Sequence, residues 1–258
     1  MQDLKNDNKE STVEDKNNSI PQTQRHQQAN YWFNWMRSGK KMYEPTPDDI
    51  KCELQLQALS DFEPLMFEID YDLFRQEIKQ YEDSWASYLP REGIINNRQG
   101  LCLVGLENDL PTDSISLPEA RKRTGNKTLN ELDFNVPTQL YKDLTCLHEI
   151  LGYWNPIGRT MLVKTNAGGW FPPHKDHPLL TRECFRVIAF IGSAVDHEAY
   201  EWEMNGRTWP IKQNRSYYVD TRKTHRTHSW QENSIHLIMN IPKTWENVLK
   251  LMAATKDF

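Results

Sequence analysis

Between residues 160 and 241 the chain runs through short apolar or alternating segments at near-regular spacing, and this pattern limits what it can fold into. Gly, Asn, Pro or charged residues bound each segment, as is typical of strands joined by turns. Asn205-Gly206 is the strongest short-range signal for a hairpin. We predict a mainly β-fold with flanking helices, built on a double-stranded β-helix of the jelly-roll or cupin kind. The eight predicted strands are 160–165, 170–173, 185–191, 200–204, 207–211, 216–220, 227–230 and 235–241.

The rest of the chain divides around this β-rich span. Residues 1–30 hold almost no apolar side chains to offset the entropy cost of ordering, so we predict a disordered polar tail. We expect residues 31–258 to form a single domain. Its parts are a helical and mixed flanking region at 31–156, the double-stranded β-helix core at 157–242 and a C-terminal helix at 243–258.

Within the flanking region, apolar residues at three- and four-residue intervals predict helices over about 71–87 and 138–153. A turn and a strand are predicted over 97–106, between the two helices. We predict a long polar connection over residues 107–135. It carries the basic run Arg121-Lys122-Arg123, which fits a solvated loop face better than a binding site.

Charge and composition exclude several classes of function. A formal net charge of −5 gives no overall attraction to nucleic acid or to an anionic membrane. The sequence has no apolar run of about 18 residues and no apolar signal core, so we expect no membrane partner and a cytoplasmic location. The four cysteines are widely spread without a Cys-x-x-Cys pair, which fits buried free thiols.

His174 and Asp176 stand where a predicted strand ends, after a Gly-Gly-Trp-Phe-Pro-Pro approach. In an extended segment, residues two apart point to the same face, so the imidazole and the carboxylate can share one metal ion. A second histidine from a distant strand would complete a two-histidine, one-carboxylate triad, the arrangement of non-haem Fe(II) sites. His225 and His228, just before the last strand, are the best candidates, because a jelly roll brings a late strand beside an early one. The pair alone is a weak signal.

Three stretches add a family resemblance: the strand, glycine turn and Pro-His-x-Asp of 161–178, the aromatic-Asp segment 217–221 with His225, and the His-Leu-Ile strand at 235–240. Through them, residues from about 151 to 242 resemble the aspartyl/asparaginyl β-hydroxylase-like group of Fe(II)/2-oxoglutarate-dependent dioxygenases. The resemblance implies an enzyme that uses iron, 2-oxoglutarate and O2 to hydroxylate a C–H bond of an amino acid or protein side chain. Succinate and CO2 would be its co-products.

The resemblance also implies roles for individual residues. His174, Asp176 and His225 fall on the metal ligands, and His225 is preferred to His228 by its offset from the final strand. The family expects an arginine about ten residues beyond the distal histidine to hold the far carboxylate of 2-oxoglutarate, but this region has Ser234 and no arginine. Arg186, ten residues after Asp176, is the expected substitute.

Trp170, His177, Arg226 and His228 adjoin the proposed ligands and are the candidate substrate contacts. An arginine beside the metal would suit a substrate that bears a carboxylate.

Two other functions stay open. A non-catalytic, cupin-like protein that binds a metal or ligand would explain the missing arginine at Ser234. A nucleic-acid-modifying dioxygenase would use Arg121-Lys122-Arg123 and Arg222-Lys223, although the acidic overall charge argues against it.

Overall fold

The computed structural model describes residues 45–88, 97–154, 157–176, 182–192 and 200–255. The predicted tail at 1–30 lies outside the described residues. Among the helices that are described, none combines the length and apolar character needed to cross a membrane. All four cysteines lie within the described ranges as free thiols, and three of them are buried.

Helices and four strands of the described chain precede the β-core, and the strands extend its larger sheet. In chain order they are α1 (Pro47–Gln57), β1 (Phe62–Glu68), α2 (Tyr71–Ile78), β2 (Ala86–Ser87), β3 (Arg98–Gly105), α3 (Leu117–Thr124), β4 (Val136–Pro137), α4 (Gln139–Asp143) and α5 (His148–Tyr153). Two 3₁₀ segments, Lys79–Ser84 and Thr145–Leu147, follow α2 and α4. The two long helices predicted here are therefore each divided, and α1 and α3 were not predicted.

Helix α3 lies inside the predicted polar connection 107–135, which is therefore not a plain loop. Its start carries a full capping box, in which the side chains of Ser116 and Glu119 each accept a bond from the other's backbone N–H, and a proline follows the cap. Gly125 ends the helix in the left-handed conformation, with φ of 69°. The Ser-x-x-Glu spacing is visible in the sequence, so this helix start could have been predicted from it.

Eight core strands follow, each overlapping one predicted segment. They are β5 (Thr160–Thr165), β6 (Trp170–His174), β7 (Cys184–Ile191), β8 (Tyr200–Met204), β9 (Arg207–Thr208), β10 (Arg215–Val219), β11 (His225–Ser229) and β12 (Ser234–Pro242), and helix α6 (Trp245–Ala254) closes the described chain.

The order of the core strands defines the fold. The larger sheet runs β1-β10-β7-β12-β5-β3-β2, with β4 paired to β3, and the smaller sheet runs β6-β11-β8-β9. All pairs are antiparallel. Successive core strands alternate between the two sheets, except that β8 and β9 form a hairpin within the smaller one. This alternation is the winding of a double-stranded β-helix. The predicted fold class is confirmed.

The hairpin between β8 and β9 is confirmed at the predicted turn. Asn205 and Gly206 both adopt positive φ, 52° and 74°, as a two-residue hairpin turn of this type requires. Met204 pairs with Arg207 across the turn. This hairpin sets the register of β8, which lies beside the strand that carries His225.

Strand β12 shows how the larger sheet separates its two faces. Leu237 and Met239 belong to the main hydrophobic cluster, together with Val248 and Leu251 of α6. The alternate residue His236 instead packs against aromatic rings between the sheets. Because side chains alternate along a strand, one face of β12 supports the helical layer and the other faces the interior of the β-helix.

Candidate metal centre

Three side chains that can ligate a metal meet at one end of the smaller sheet. His174 and His225 are directly paired across β6 and β11, and their ring centroids lie 4.2 Å apart. Asp176 follows two residues beyond His174, where its backbone N–H donates to the carbonyl of Thr221 at 2.9 Å. One potential ligand atom from each of the three lies within 4.8 Å of the others. The structure thus brings together the residues that the sequence singled out.

Backbone carbonyls orient both imidazoles. The Nδ1 of His174 lies 2.9 Å from the carbonyl oxygen of Pro172, and the Nδ1 of His225 lies 3.0 Å from that of Lys223. Donation of the Nδ1 proton to a carbonyl leaves the Nε2 lone pair available for a metal. The two histidines therefore present the atom that a metal ligand needs.

Burial favours the neutral form of both histidines. Desolvation, followed by the neighbouring His225, lowers the pKa of His174 to about 4. Desolvation also lowers the pKa of His225, against the opposing effect of the Asp176 carboxylate. Since only a neutral imidazole coordinates a metal, the site is prepared for one near neutral pH.

Asp176 stays ionised because of its surroundings. Burial alone would raise its pKa, but the charge of Arg186, the nearby His225 and a hydrogen bond from the Thr221 side chain bring the pKa below its ordinary value. The Nη1 of Arg186 lies 2.8 Å from the Oδ2 of Asp176. Asp176 Oδ1 is 3.7 Å from Nε2 of His174. One carboxylate oxygen thus contacts the guanidinium while the other faces the histidines.

A buried polar network extends behind Arg186. Its Nε donates to the Oδ1 of Asn240 at 3.2 Å, and the Nδ2 of Asn240 donates to Glu131 at 3.1 Å. Glu131 also accepts two bonds from the fork of Arg159, at 2.5 and 2.9 Å. Sequence reasoning did not identify this network. Asn240 lies on the same face of the final strand as His236 and was detectable in principle, whereas Glu131 lies in a polar connection without any pattern.

A cleft of about 810 Å³ opens between the sheets at the three residues. Trp202 stacks on His225 with 3° between the ring planes, and Phe171 meets His174 edge-on at 4.4 Å. Further along, Tyr200 and His236 pack with their rings 4.3 Å apart. The aromatic rings pack against the two imidazoles and restrict their orientation.

The lining of the cleft is more basic than the chain as a whole. Seven of its side chains are cationic and three are acidic, although the net charge of the chain is −5. The cationic residues are Arg98, Arg121, Lys127, Arg159, Lys175, Arg182 and Arg186, and the acidic ones are Glu131, Asp176 and Glu183. Such a lining favours an anionic ligand.

The predicted substrate contacts do not line the cleft in the part of the chain that the structure describes. His225 is buried while Arg226 and His228 lie on the opposite face of β11. Arg226 pairs there with Glu201 and Glu203, and His228 packs against Trp230.

Trp170 lies on the same outer face as His228, because the two residues are directly paired. His177, the remaining predicted contact, lies outside the described residues. Adjacency in sequence misled the prediction here, since neighbours on a strand point in opposite directions. Arg186 contacts Asp176, and its role toward 2-oxoglutarate stays a prediction.

Comparisons with known proteins give only distant likenesses. No protein-family model and no curated protein match the sequence. A prolyl hydroxylase from Trichoplax adhaerens, solved with a hypoxia inducible factor peptide fragment, is 11% identical, with a TM-score of 0.43 over 83% of this chain and 98% of that one. A 2OG-Fe(II) oxygenase family oxidoreductase from Burkholderia pseudomallei is 13% identical, with a TM-score of 0.39 over 78% and 93%. An RmlC-like cupin from Desulfovibrio desulfuricans is 13% identical, with a TM-score of 0.25 over 32% and 70%.

Identities and scores this low carry no argument about activity. The narrower resemblance to aspartyl/asparaginyl β-hydroxylase-like enzymes stays a prediction.

Proposed function

We propose that this protein is an Fe(II)- and 2-oxoglutarate-dependent dioxygenase that hydroxylates a C–H bond of an amino acid or of a protein side chain. The observation that carries the proposal is the convergence of His174, Asp176 and His225, with both imidazoles oriented by backbone carbonyls. Two neutral imidazoles and one carboxylate are the donor set of non-haem Fe(II) oxygenases, which keep open positions for cosubstrate and O2.

The donors differ from those of structural zinc, calcium and magnesium sites. A structural zinc site is four-coordinate and usually rich in cysteine, and no cysteine belongs to the described cluster. Calcium and magnesium prefer sites built of oxygen ligands. His174, Asp176 and His225 would therefore hold Fe(II), and the cleft beside them would receive 2-oxoglutarate.

Bound iron and 2-oxoglutarate would activate O2 for hydroxylation, with 2-oxoglutarate as the electron donor, and the protein would supply the geometry of the site. Arg186 keeps Asp176 ionised and in position, as residues behind a metal ligand commonly do. Phe171 and Trp202 hold the two imidazole rings. These contacts keep the ligand atoms facing a common point.

The charge of the cleft supports a substrate that bears a carboxylate. Lys127 and Lys175 are exposed members of its lining, and Arg121 and Arg182 are partly exposed. Glu183 offsets the charge of Arg182, to which it is paired. The charges of Arg121, Lys127 and Lys175 still give the opening a surplus of positive charge. An amino acid or an acidic peptide segment would be attracted to it.

The test is anaerobic titration of the Fe(II)-loaded protein with 2-oxoglutarate. We expect the weak visible band of an Fe(II)–2-oxoglutarate chelate, followed on admission of O2 by succinate release in the presence of amino acids or acidic peptides. Absence of both the band and succinate would exclude the enzyme and leave the cupin-like binding protein. Buried Ser234, bonded to Ser229 at 2.7 Å, is the observation that favours that alternative, because it occupies the place where an arginine was expected.

The nucleic-acid-modifying alternative loses support from the ion pairs of its two basic runs. Arg123 contacts both Asp109 and Asp113, and Arg222 contacts both Asp220 and Glu53. Charges that are neutralised within the protein contribute less to phosphate binding. Salt-sensitive retention on DNA or RNA would restore this alternative.

A further inference from the structure

Arg98 lies in the same row of the larger sheet as Ser234. Thr165 of β5 pairs with Ser234 of β12 on one side and with Arg98 of β3 on the other. Residues paired in this way across neighbouring strands share a face of the sheet. The Arg98 guanidinium therefore belongs to the same face of the sheet as Ser234, two strands away from it.

The side chain of Arg98 reaches the cleft through an aromatic contact. It is one of the residues that line the cleft, and its guanidinium carbon lies 4.7 Å from the ring centroid of Phe171. Phe171 also meets His174 edge-on, with the ring centroids 4.4 Å apart. One aromatic ring thus separates Arg98 from a proposed metal ligand. This is a spacing that a five-carbon dicarboxylate can span while its other end reaches the metal.

The groups around Arg98 suit a carboxylate. Desolvation is the main cause that lowers the pKa of His236 to about 3, and the positive charge of Arg98 is the second cause. This buried histidine is therefore neutral and can form a hydrogen bond without adding charge. Tyr200 is hydrogen-bonded to Thr227, and the charge of Arg98 also acts on it. Burial nevertheless raises the pKa of Tyr200 to about 12, so its hydroxyl keeps its proton and can donate a hydrogen bond. Thr227 and Tyr200 both line the cleft.

Arg186 is placed differently from Arg98. Its guanidinium is engaged by Asp176 at 2.8 Å and by Asn240 at 3.2 Å. Asn240 and His236 stand four residues apart on β12 and share its inner face, so Arg186 and His236 mark opposite ends of the cleft. Arg186 lies at the metal end, beside a ligand, whereas a far carboxylate must lie away from the metal.

Resting on the function proposed above, we propose that Arg98 of β3 binds the far carboxylate of 2-oxoglutarate, with Tyr200 and His236 as its hydrogen-bonding neighbours. Ser234 stands where an arginine was expected. In this proposal Arg98 takes over that role from β3, a strand outside the core strands β5 to β12. A guanidinium held against an aromatic ring offers a carboxylate two parallel N–H donors in a fixed orientation.

The experiment compares two 2-oxo acids on Fe(II)-loaded protein under anaerobic conditions. 2-Oxoglutarate carries the far carboxylate, and 2-oxopentanoate has the same five-carbon chain without it. Both chelate iron through the same end, so each affinity can be read from the visible chelate band. In Arg98→Gln we expect the Kd for 2-oxoglutarate to rise about 100-fold, as loss of a charge-assisted hydrogen-bond pair implies, with the Kd for 2-oxopentanoate unchanged.

Arg207→Gln is the matched control, because Arg207 also stacks on an aromatic ring, Trp209 at 4.5 Å, but does not line the cleft. We expect it to bind both acids as the wild type does. If Arg98→Gln does not fold, Arg98→Lys serves instead, and it should bind 2-oxoglutarate at least several-fold more weakly because lysine lacks the planar fork.

The outcomes separate this proposal from the one on which it rests. A wild-type protein that gives no chelate band with either acid overturns the proposed function. A wild type that prefers 2-oxoglutarate, together with an Arg98→Gln variant that keeps the same preference, overturns only the role of Arg98. If Arg186→Gln alone abolishes the preference, the far carboxylate lies at Arg186 instead.

Discussion

His174 and His225 are directly paired residues on adjacent strands, with ring centroids 4.2 Å apart and each Nδ1 within hydrogen-bonding distance of a carbonyl two residues earlier in its own chain segment. This shared arrangement points both Nε2 atoms to one place. The pairing places the rings side by side, and the local carbonyls set their rotation. Together they make the site ready for a metal with little rearrangement.

Replacement of His225 should abolish metal binding without unfolding the protein. His225→Ala removes one of three ligands, so we expect Fe(II) affinity to fall by at least about 100-fold and 2-oxoglutarate turnover to be lost. His228→Ala is the matched control, since His228 lies on the same strand but on its outer face. Equilibrium dialysis with Fe(II) under anaerobic conditions measures the affinity. Equal affinities of the two variants would contradict the assignment of His225.

His174→Ala tests the other end of the pair. We expect a soluble protein with the wild-type far-UV spectrum and no succinate production, because the metal loses a ligand while the sheet keeps its backbone pairing. Full turnover in this variant would show that the metal assignment is wrong.

Arg186→Gln should change how metal binding depends on pH. Arg186 helps to hold the pKa of Asp176 below its ordinary value, so its loss raises that pKa. A carboxylate protonated at higher pH loses the metal at higher pH, so the acid limb of the binding curve should move upward. Metal titrations at a series of pH values measure this shift. An acid limb that stays in place would mean that Arg186 does not control the ionisation of Asp176.

His236 should make folding sensitive to acid. Its folded-state pKa is lowered to about 3, whereas an unfolded histidine titrates at about 6.5. Below pH 6.5 the unfolded chain therefore binds a proton that the folded chain does not, and stability falls with pH by up to about 1.4 kcal/mol per unit until the pH approaches 3. His236→Asn should remove this contribution. Urea unfolding of both proteins between pH 7 and 4 would show a smaller loss for the variant, and parallel curves would contradict the assignment.

The Glu131–Arg159 pair should be important for stability. The side chains are only 2% and 7% exposed, so Glu131→Gln leaves the charge of Arg159 buried without its partner, at a cost of about 3 kcal/mol or more. Glu246→Gln breaks an ion pair whose acidic side chain is 77% exposed, and it should change stability by less than about 0.5 kcal/mol. Urea unfolding of the two variants measures the contrast, and similar losses would contradict it.

Local patterns carried much of the site prediction. The Asn205-Gly206 turn, the alternation of the core strands and the position of His174 two residues before Asp176 are short-range features, and each has its counterpart in the structure. Even the choice of His225 over His228 depended on distance along the chain. Strands of period two and tight turns are encoded within a few residues, so the sequence can be read for them directly.

The faces of the strands and the contacts between distant segments were harder to predict. Arg226 and His228 lie next to the ligand strand's inner residues in sequence, but the alternation of β11 turns them outward. Arg98 and Glu131 lie in segments where no motif marks them, and only sheet pairing and the buried network bring them to the cleft.

The amino-acid sequence by itself therefore determined the β-rich class, the hairpin and the three residues that meet at the candidate metal centre. Only the tertiary structure decided which arginine side chains lie beside these three residues. Ion pairs and neighbours across a sheet arise between residues that are far apart in the chain. Asp176 engages Arg186, and Thr165 joins Ser234 to Arg98 across the sheet. Such contacts depend on the register and facing of strands, which no local pattern specifies.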